Sequence, residues 1–298
     1  MSEVILASKP TKLVRHIDKI KNLKIKPRPI MVDIALTSRC TQNCDFCYVK
    51  NREEGELKLE DIIHFLEVVK PLSIDLAGGE PTLWKDLDKL LEWCYDNNIK
   101  TGLITNGARL KDFKNLHLLD WLRISVNNYV DHKKEIYIPK LPGVYIGIMY
   151  VWHKDSKNAQ KITWRLFKLK MRNPEIKYMK ITEDFTDRTV HIPNVLADWG
   201  HPFIIETTIP RRWERRICYI GWLKPYLDCS GKVYFCTGNI EPLERRKKEG
   251  SEFCTIYEPE KLLEYFDFKR DCQRCENYGK NKFIDMVLAD HIIHEEFI

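Results

Sequence analysis

Apolar strand-like runs alternate with amphipathic, helix-like segments through the first two thirds of the chain. The strand candidates are residues 30–36, 72–77, 99–104, 121–126, 144–151 and 176–182. The helix candidates, with apolar residues at helical spacing, are residues 59–69, 86–97, 110–117 and 157–172. This alternation predicts an α/β fold with a parallel sheet, and six strands favour a partial (β/α)6 barrel. In such folds, active sites gather at the carboxyl ends of the strands.

Composition divides the chain into four parts. Residues 1–28 form a basic and polar N-terminal extension with a short helix signal, and residues 29–185 carry the alternating strands and helices. Residues 186–216 contain three prolines and two tryptophans, and we interpret them as a linker or lid. Residues 217–298 are rich in cysteine and turn residues, and their last segment, 281–298, is typical of a helix.

Three cysteines follow the first strand candidate. They are Cys40, Cys44 and Cys47, in the spacing C-x3-C-x2-C. Thiolates are the ligands of iron–sulfur clusters, and three on one loop can hold three irons of a [4Fe–4S] cluster while the fourth iron stays open. The alternative is a zinc site, although structural zinc usually takes four ligands at a different spacing.

Further motifs follow the next three strand candidates. Gly78-Gly79-Glu80-Pro81 comes after the second, Thr105-Asn106-Gly107 after the third, and Ile124-Ser125-Val126-Asn127 at the fourth. Together with the cysteine run, they resemble the signature of the radical S-adenosylmethionine (SAM) superfamily over roughly residues 28–185.

The resemblance implies an open [4Fe–4S] cluster that binds SAM. The implied cofactor contacts are Phe46, Tyr48, Gly78, Gly79, Glu80, Pro81, Thr105, Asn106, Ser125 and Asn127. A carboxylate at Glu80 can pair with the SAM ammonium group, and the glycines before it allow a close backbone approach. Asn127 departs from the family, which often has Asp here, so a ribose contact would lack the charge. Tyr48 either covers the adenine or is a surface aromatic.

A second cysteine set lies in the C-terminal part of the chain. Residues 226–236 predict a β-hairpin with a Ser-Gly turn. The order of the cysteines around it resembles the shortened SPASM module, called twitch, that follows the barrel in some radical SAM enzymes. The resemblance implies an auxiliary [4Fe–4S] cluster on Cys218, Cys236, Cys272 and Cys275. A four-cysteine zinc ribbon is the alternative.

Three cysteines are left outside these two sets. Cys229 and Cys254 either replace one of the four auxiliary ligands or are buried bystanders. Cys94 lies in a helix pattern at a position typical of a core residue.

No motif identifies the substrate. A basic run, Arg211, Arg212, Arg215 and Arg216, either clamps an anion or is a solvated face. Candidates for substrate contact around the end of the last strand candidate are Glu183, Asp184, His191 and His201. A sugar, an aminocyclitol or other small molecule, a nucleotide or nucleic-acid base, and a peptide all stay open as substrates.

The resemblance implies an enzyme that cleaves SAM reductively and uses the resulting 5′-deoxyadenosyl radical to abstract a hydrogen atom from its substrate. It implies an electron donor such as flavodoxin or ferredoxin, with possible net oxidation through the auxiliary cluster. The alternative from another class is a non-catalytic, metal-stabilised nucleic-acid-binding module. The net charge of +6 supports that alternative only weakly, since bound clusters lower the charge.

The composition points to a cytoplasmic protein. No apolar run reaches the length of a membrane span, and residues 1–10 lack the apolar core of a signal peptide. Ten cysteines, several at ligand-like spacing, predict metal binding in a reducing compartment rather than disulfides.

Overall fold

The structure is a computed structural model of the 298-residue chain. It describes residues 9–47, 49, 54–184, 186–187, 189–193, 196, 203–206, 211–236, 252–265, 267, 269–275 and 277–289. Within these ranges the side chains of residues 9–11, 206, 211–215 and 270–274 are not described.

A parallel sheet forms the centre of the fold. Its strands are β1 (Met31–Ala35), β2 (Ser73–Ala77), β3 (Lys100–Thr105), β4 (Trp121–Ser125), β5 (Tyr145–Trp152), β6 (Ile176–Glu183) and β7 (Phe203–Glu206). Each strand pairs in parallel with the next one along the chain. The described helices are α1 (Lys9–Val14), α2 (Ile17–Lys21), α3 (Leu59–Val69), α4 (Leu87–Asp96), α5 (Asn127–His132), α6 (Ala159–Arg172), α7 (Tyr219–Leu223) and α8 (Tyr278–Val287).

The C-terminal hairpin extends this sheet. Its strands are β9 (Tyr226–Leu227), β10 (Lys232–Tyr234) and β11 (Glu252–Thr255), and β9 pairs in parallel with β1. Among the described residues the sheet therefore has ten strands, in the order β11-β10-β9-β1-β2-β3-β4-β5-β6-β7. The hairpin turn is closed by Asp228, whose Oδ1 accepts from the Ser230 and Lys232 amides at 2.9 and 3.1 Å. The predicted hairpin is confirmed.

A second, two-stranded antiparallel sheet pairs β8 (Arg211–Ile217) with β12 (Lys269–Cys275). Residues 186–216, interpreted from the sequence as a linker, thus include β7 and β8. Strand β7 has only four residues, and β8 is rich in arginine, so neither segment gave a strand signal. The four domain boundaries stay predictions.

One face of the parallel sheet is apolar and forms the main core. Ile34, Leu76, Leu103, Leu122 and Ile148 are fully buried there, together with the apolar faces of α3, α4 and α6. Each such side chain contributes about 1.5–3 kcal/mol when it is removed from water. A smaller cluster joins α2, α7 and α8 through residues such as Ile20, Trp222 and Ile284. The core thus holds the sheet in place. The carboxyl ends of the strands are left available for the site.

The other face of the sheet carries aromatic and charged groups. The Trp121 ring lies against Gly102, where a Cβ atom would stand 2.1 Å from it, and the Tyr178 ring covers Gly147 in the same way. On β1 and β2, Asp33 pairs in register with Asp75. These side chains lie on the strands themselves, below the loops at the carboxyl edge.

Asp33 and Asp75 form a crowded acidic pair. Lys224 Nζ lies 3.0 Å from Asp33 Oδ2. Burial and the nearby charge of Asp33 raise the pKa of Asp75 to about 7. This carboxyl therefore titrates near neutral pH.

The predicted strands agree with the structure to within one residue at either end. The prediction of a helix over residues 110–117 is wrong, because two separate 3-10 turns, Leu110–Asp112 and Leu116–Leu118, occupy this segment. The carboxylate of Asp88 accepts from the backbone amides of Lys114 and Asn115 at 3.1 and 2.9 Å. These bonds take the amides that a continuous helix would use.

Two further segments complete the comparison. Helix α5 lies where the sequence has only a weak helix signal. The predicted C-terminal helix begins three residues early, at Tyr278, and residues 290–298 lie outside the described residues. In the described part of the chain, no helix has the length and apolar character of a bilayer span.

Candidate functional site

The three N-terminal cysteines lie on the loop that follows β1. Cys40 is exposed, and Cys44 and Cys47 are partly buried. The Cys47 amide donates to the Cys44 carbonyl at 3.2 Å, and the Gln42 amide donates to Cys40 Sγ at 3.4 Å. Burial, followed by the charges of Cys47 and Cys40, raises the pKa of Cys44 to about 11. The thiols of Cys40 and Cys47 are therefore close enough to influence the ionisation of Cys44.

The base of this loop is anchored by Arg39. Its guanidinium donates from Nε to Glu56 Oε2 at 3.0 Å and from Nη2 to the Leu83 carbonyl at 2.9 Å. A planar guanidinium that bonds two partners leaves little rotational freedom. The residue before Cys40 is thus held against two other segments.

The Gly-Gly-Glu turn after β2 packs against the same loop. The Gly79 amide donates to the Thr37 carbonyl and the Glu80 amide to the Arg39 carbonyl, both at 2.7 Å. A Cβ atom on Gly79 would stand 2.1 Å from the Arg39 carbonyl oxygen, and Gly78 has a φ of +127°. The close approach that these glycines allow is to the backbone before Cys40.

Glu80 connects the carboxyl ends of β2 and β3. Its carboxylate is 1% exposed. Oε1 accepts from the Thr82 amide at 3.0 Å and from the Thr105 hydroxyl at 2.5 Å, and Oε2 accepts from the Asn106 amide at 2.6 Å. The expected pairing of Glu80 with a SAM ammonium group stays a prediction, and Oε2 has the larger remaining acceptor capacity.

Asn106 reaches from the end of β3 to the cysteine loop. Its Nδ2 donates to Thr41 Oγ1 at 3.0 Å and lies 3.8 Å from Cys40 Sγ. The sequence motifs after β1, β2 and β3 thus meet at one edge of the sheet.

Asn127 has a different set of partners. Its side-chain amide is buried and pairs with the backbone of Val151 on β5, donating to the carbonyl and accepting from the amide, both at 2.9 Å. A ribose contact by Asn127 stays a prediction. Ser125 is partly buried at the end of β4, Pro81 is buried at the start of a 3-10 turn, and Tyr48 lies outside the described residues.

A cavity of about 940 Å³ opens beside the cysteine loop. Its walls come from residues 41–46, from α5 and the residues after it, and from the segment 153–165. Of the predicted cofactor contacts, Phe46 and Asn127 line it. Its volume is that of a small-molecule site.

A histidine–aspartate pair that the sequence analysis missed also lines this cavity. His153 Nε2 lies 3.0 Å from Asp131 Oδ2, and the Tyr150 hydroxyl donates to Asp131 Oδ1 at 2.8 Å. Burial alone would raise the pKa of Asp131, but the bonds from His153 and Tyr150 lower it below its usual value. The ionised carboxylate therefore fixes the imidazole. The available signal was a histidine just after the fifth strand candidate, where site residues gather.

The comparison with known families agrees with this geometry. Residues 34–142, which contain the cysteine loop, the Gly-Gly-Glu turn and Asn106, match the Radical SAM superfamily model. This part of the chain is a radical SAM domain. The family implies SAM and a [4Fe–4S] cluster as cofactors.

Curated relatives of the radical SAM domain carry out varied reactions. An S-adenosylmethionine-dependent nucleotide dehydratase of Selenomonas ruminantium is 30% identical over 26% of this chain and 30% of that protein. A GTP 3′,8-cyclase of Campylobacter jejuni is 32% identical over 34% of this chain and 35% of that protein. The chain therefore spans about a third of the length of these relatives.

Among solved structures, Streptococcus suis SuiB bound to its precursor peptide SuiA resembles this chain with a TM-score of 0.54. The similarity covers 97% of this chain and 73% of SuiB at 16% identity. At this identity it shows the fold alone, which confirms the predicted α/β class.

Outside the radical SAM domain, three cysteines of the second set lie near two asparagine side chains at the amino end of α8. Asn277 Nδ2 donates to Cys236 Sγ at 3.1 Å. The Asn281 Nδ2 atom lies 3.8 Å from Cys218 Sγ and 3.9 Å from Cys275 Sγ. The side chain of Cys272 lies outside those described, although its backbone is on β12 next to Cys275.

The remaining cysteines are buried in apolar surroundings. Cys254 lies on β11 within the main core, and Cys94 lies on α4; burial raises the pKa of each to about 12. Cys229 packs with Tyr226 and Tyr234. These positions favour the interpretation of Cys229 and Cys254 as bystanders.

The candidate substrate contacts are only partly described. His191 Nδ1 lies 3.5 Å from Glu183 Oε1. Asp184 Oδ1 accepts from the Thr186 amide at 2.8 Å and closes a turn. His201 and the side chains of Arg211, Arg212 and Arg215 lie outside what is described, and the exposed Arg216 has Nη1 3.6 Å from Asp285 Oδ2.

Proposed function

We propose that this chain is a radical SAM enzyme acting on a small molecule held in the cavity beside the cysteine loop. One observation carries the proposal: Cys40, Cys44 and Cys47 lie on one loop that forms part of the cavity wall. A substrate in the cavity would therefore stand next to the radical source. Relatives named for nucleotide and GTP chemistry favour a small substrate, and SuiB, bound to a peptide, keeps a peptide as the alternative.

The donor set of the loop fits an open iron–sulfur cluster. Three thiols on one loop match the ligand number of a [4Fe–4S] cluster with one open iron. When bound, the cluster and SAM supply reductive cleavage to methionine and a 5′-deoxyadenosyl radical, with an electron from a donor such as flavodoxin or ferredoxin.

In this reaction the protein contributes by holding the cysteine loop in a fixed position. Arg39 and the Gly-Gly-Glu turn fix the base of the cysteine loop, and Asn106 fixes its first cysteine. The His153 ring contacts the Phe46 ring at a tilt of 31° and supports the part of the loop between Cys44 and Cys47. Such rigid placement holds reactive atoms close together and keeps water from them.

The test is anaerobic reconstitution followed by reduction with SAM. We expect 5′-deoxyadenosine from the wild type, and its loss together with about four irons per chain in a Cys40→Ala, Cys44→Ala, Cys47→Ala triple variant. Cys94→Ala, a thiol in the core of α4, is the matched control and should keep both. A wild type that binds a full cluster but never cleaves SAM under strong reductant contradicts the proposal. It would leave a non-catalytic metal module.

We further propose a twitch-like auxiliary [4Fe–4S] cluster on Cys218, Cys236, Cys272 and Cys275. The support is the proximity of three of these cysteines to the side-chain amides of Asn277, the residue before α8, and Asn281 in α8. Amide donors to sulfur are typical of cluster sites and tune their potential. The cluster would accept an electron from the substrate radical or anchor the substrate.

The same triple variant tests this second site. It should retain about four irons and a charge-transfer absorbance from the auxiliary cluster. Recovery of one zinc and no iron from it would assign the site to the structural zinc class instead.

A further inference from the structure

We propose that one wall of the cavity binds phosphate groups of the substrate. This inference deepens the proposed function, on which it rests, by naming the class of the substrate. The wall consists of Lys134, Lys157, Lys161 and Arg165, all of which line the cavity. They lie on the residues after α5 and around the start of α6, whereas the cysteine loop supplies another part of the lining.

The acidic groups of the same cavity do not neutralise these lysines. Three carboxylates line the cavity: Asp45 on the cysteine loop, Asp131, which is bonded by His153 and Tyr150, and Asp155, whose Oδ2 lies 4.0 Å from His153 Nδ1. Within the described part of the chain, Lys134, Lys157 and Lys161 have no carboxylate within ion-pair distance. Three exposed lysines thus line one cavity, and no carboxylate of the described residues pairs with them.

The position of two of these lysines is unfavourable for the fold. Lys157 precedes Asn158, the residue that caps α6 by accepting from the Lys161 amide at 2.8 Å, and Lys161 lies in the first turn. The amino end of a helix carries partial positive charge, so cations there are repelled and acids are preferred. The first turn of α6 has no acidic residue. An anion in the cavity would offset this repulsion.

Phosphate is the anion that this arrangement fits best. Lysine binds phosphate as a point charge, and arginine binds it with a planar fork. Arg165 is already oriented by donating from Nη1 to the Val130 carbonyl of α5. Several cations along one wall suit a ligand with several charges, and the cavity of about 940 Å³ suits a small molecule.

The experiment measures binding of inorganic tripolyphosphate to the reconstituted full chain by calorimetry. The test variant is Lys157→Ala with Lys161→Ala. The matched control is Lys154→Ala with Lys168→Ala, two exposed lysines of the same segment that do not line the cavity and whose loss changes the charge equally. We expect the test variant to bind at least about tenfold more weakly and the control to bind within about twofold of the wild type.

Several binding results would overturn the inference. They are no binding to the wild type, an equal loss in the control, and equally tight binding of tricarballylate, which carries carboxylates instead of phosphates. Preferential binding of a single-stranded oligonucleotide at the same lysines would also overturn it, in favour of a nucleic-acid substrate.

Stability provides a second readout that a structural role could not imitate. Because the two lysines oppose the dipole of α6, the test variant should unfold in urea at the same or a higher concentration than the wild type. A lower midpoint means that the lysines support the fold, and the inference fails. Uncoupled 5′-deoxyadenosine formation is measured in the wild type and in the Lys154→Ala, Lys168→Ala control, so that failure of SAM chemistry is scored separately from failure of phosphate binding.

Discussion

The ring of Phe46 lies 4.9 Å from the ring of His153. Phe46 stands between the second and third cysteines of the loop, and His153 follows β5, so this contact joins the loop after the first strand to the end of the fifth. Asp131 bonds the histidine from α5. The cysteine loop is therefore supported on the cavity side by an aromatic contact that is itself held by a carboxylate.

Removing the His153 ring should loosen the cysteine loop. We expect His153→Ala to lower uncoupled SAM cleavage by roughly tenfold, because small misplacements of reacting groups are costly. His153→Phe keeps a ring against Phe46 and should retain more activity, although it leaves Asp131 with one partner fewer. The control is His117→Ala, which removes an exposed ring whose Nδ1 lies 3.0 Å from the Lys114 carbonyl oxygen. Equal activity of His153→Ala and wild type would show that the contact is incidental.

Glu80→Gln should destabilise the protein although it preserves size and shape. Each carboxylate oxygen accepts from a backbone amide, Oε1 from Thr82 and Oε2 from Asn106. A glutamine has one oxygen and one NH₂ group. In either orientation, the NH₂ group would therefore face one of the two backbone N–H donors, which would lose its acceptor. We expect a loss of about 1–3 kcal/mol in urea unfolding. Glu67→Gln on α3 is the control and should change stability by less than about 0.5 kcal/mol.

Two glycine substitutions should have opposite effects. Gly79→Ala places a Cβ atom 2.1 Å from the Arg39 carbonyl oxygen, so the backbone before Cys40 must shift. We expect lower stability and less iron after reconstitution. At Gly279 on α8, an added Cβ would have no described atom within 4 Å apart from its chain neighbours and the helix's own backbone, and alanine should stabilise the helix by roughly 0.5–1 kcal/mol. Thermal unfolding and iron analysis measure both, and full iron binding by Gly79→Ala would contradict the packing argument.

Asp75 should make stability depend on pH. Burial and Asp33 raise its pKa to about 7, so its ionisation costs more in the folded than in the unfolded chain. The favourable contribution is complete below pH ~4 and is lost as the pH rises through about 7. Asp75→Asn should therefore gain stability over the wild type between pH 5 and pH 8, on the order of 2 kcal/mol. The control is Asp96→Asn, which changes an exposed residue. Its difference in unfolding free energy from the wild type should be constant over that range.

The sequence predicted those parts of the fold that depend on local pattern. Buried strands such as β2 and β5 have apolar runs, and helices α3 and α6 have helical spacing, so their existence and order follow from the chain. The cysteine run was recognisable because its ligands are contiguous. The two 3-10 turns before β4 could not be recognised in the sequence. The backbone amides of Lys114 and Asn115 donate to the carboxylate of Asp88, which lies in helix α4.

The same limit applies to the site. Asn127 was interpreted from its motif, but its amide is paired with Val151, 24 residues later. The Asp131–His153 pair joins residues 22 apart with no motif between them. Such pairs depend on how β4 and β5 are placed side by side, which a linear pattern does not contain. The auxiliary ligand set was predicted from its spacing, whereas the asparagines next to Cys218, Cys236 and Cys275 were not predicted.

The pairing of β9 with β1 has a consequence for the order of folding. One edge of β1, the strand that leads into the cysteine loop, stays open until Tyr226 and Leu227 have left the ribosome. An unpaired edge of a buried strand can pair with other chains, and contacts between residues so far apart in the chain form slowly. The nascent chain therefore carries its cysteine loop beside an exposed edge until the hairpin emerges. Insertion of iron before residue 227 emerges would act on a loop whose supporting strand is incomplete, so maturation of the first cluster is expected to follow, rather than direct, the closure of the sheet.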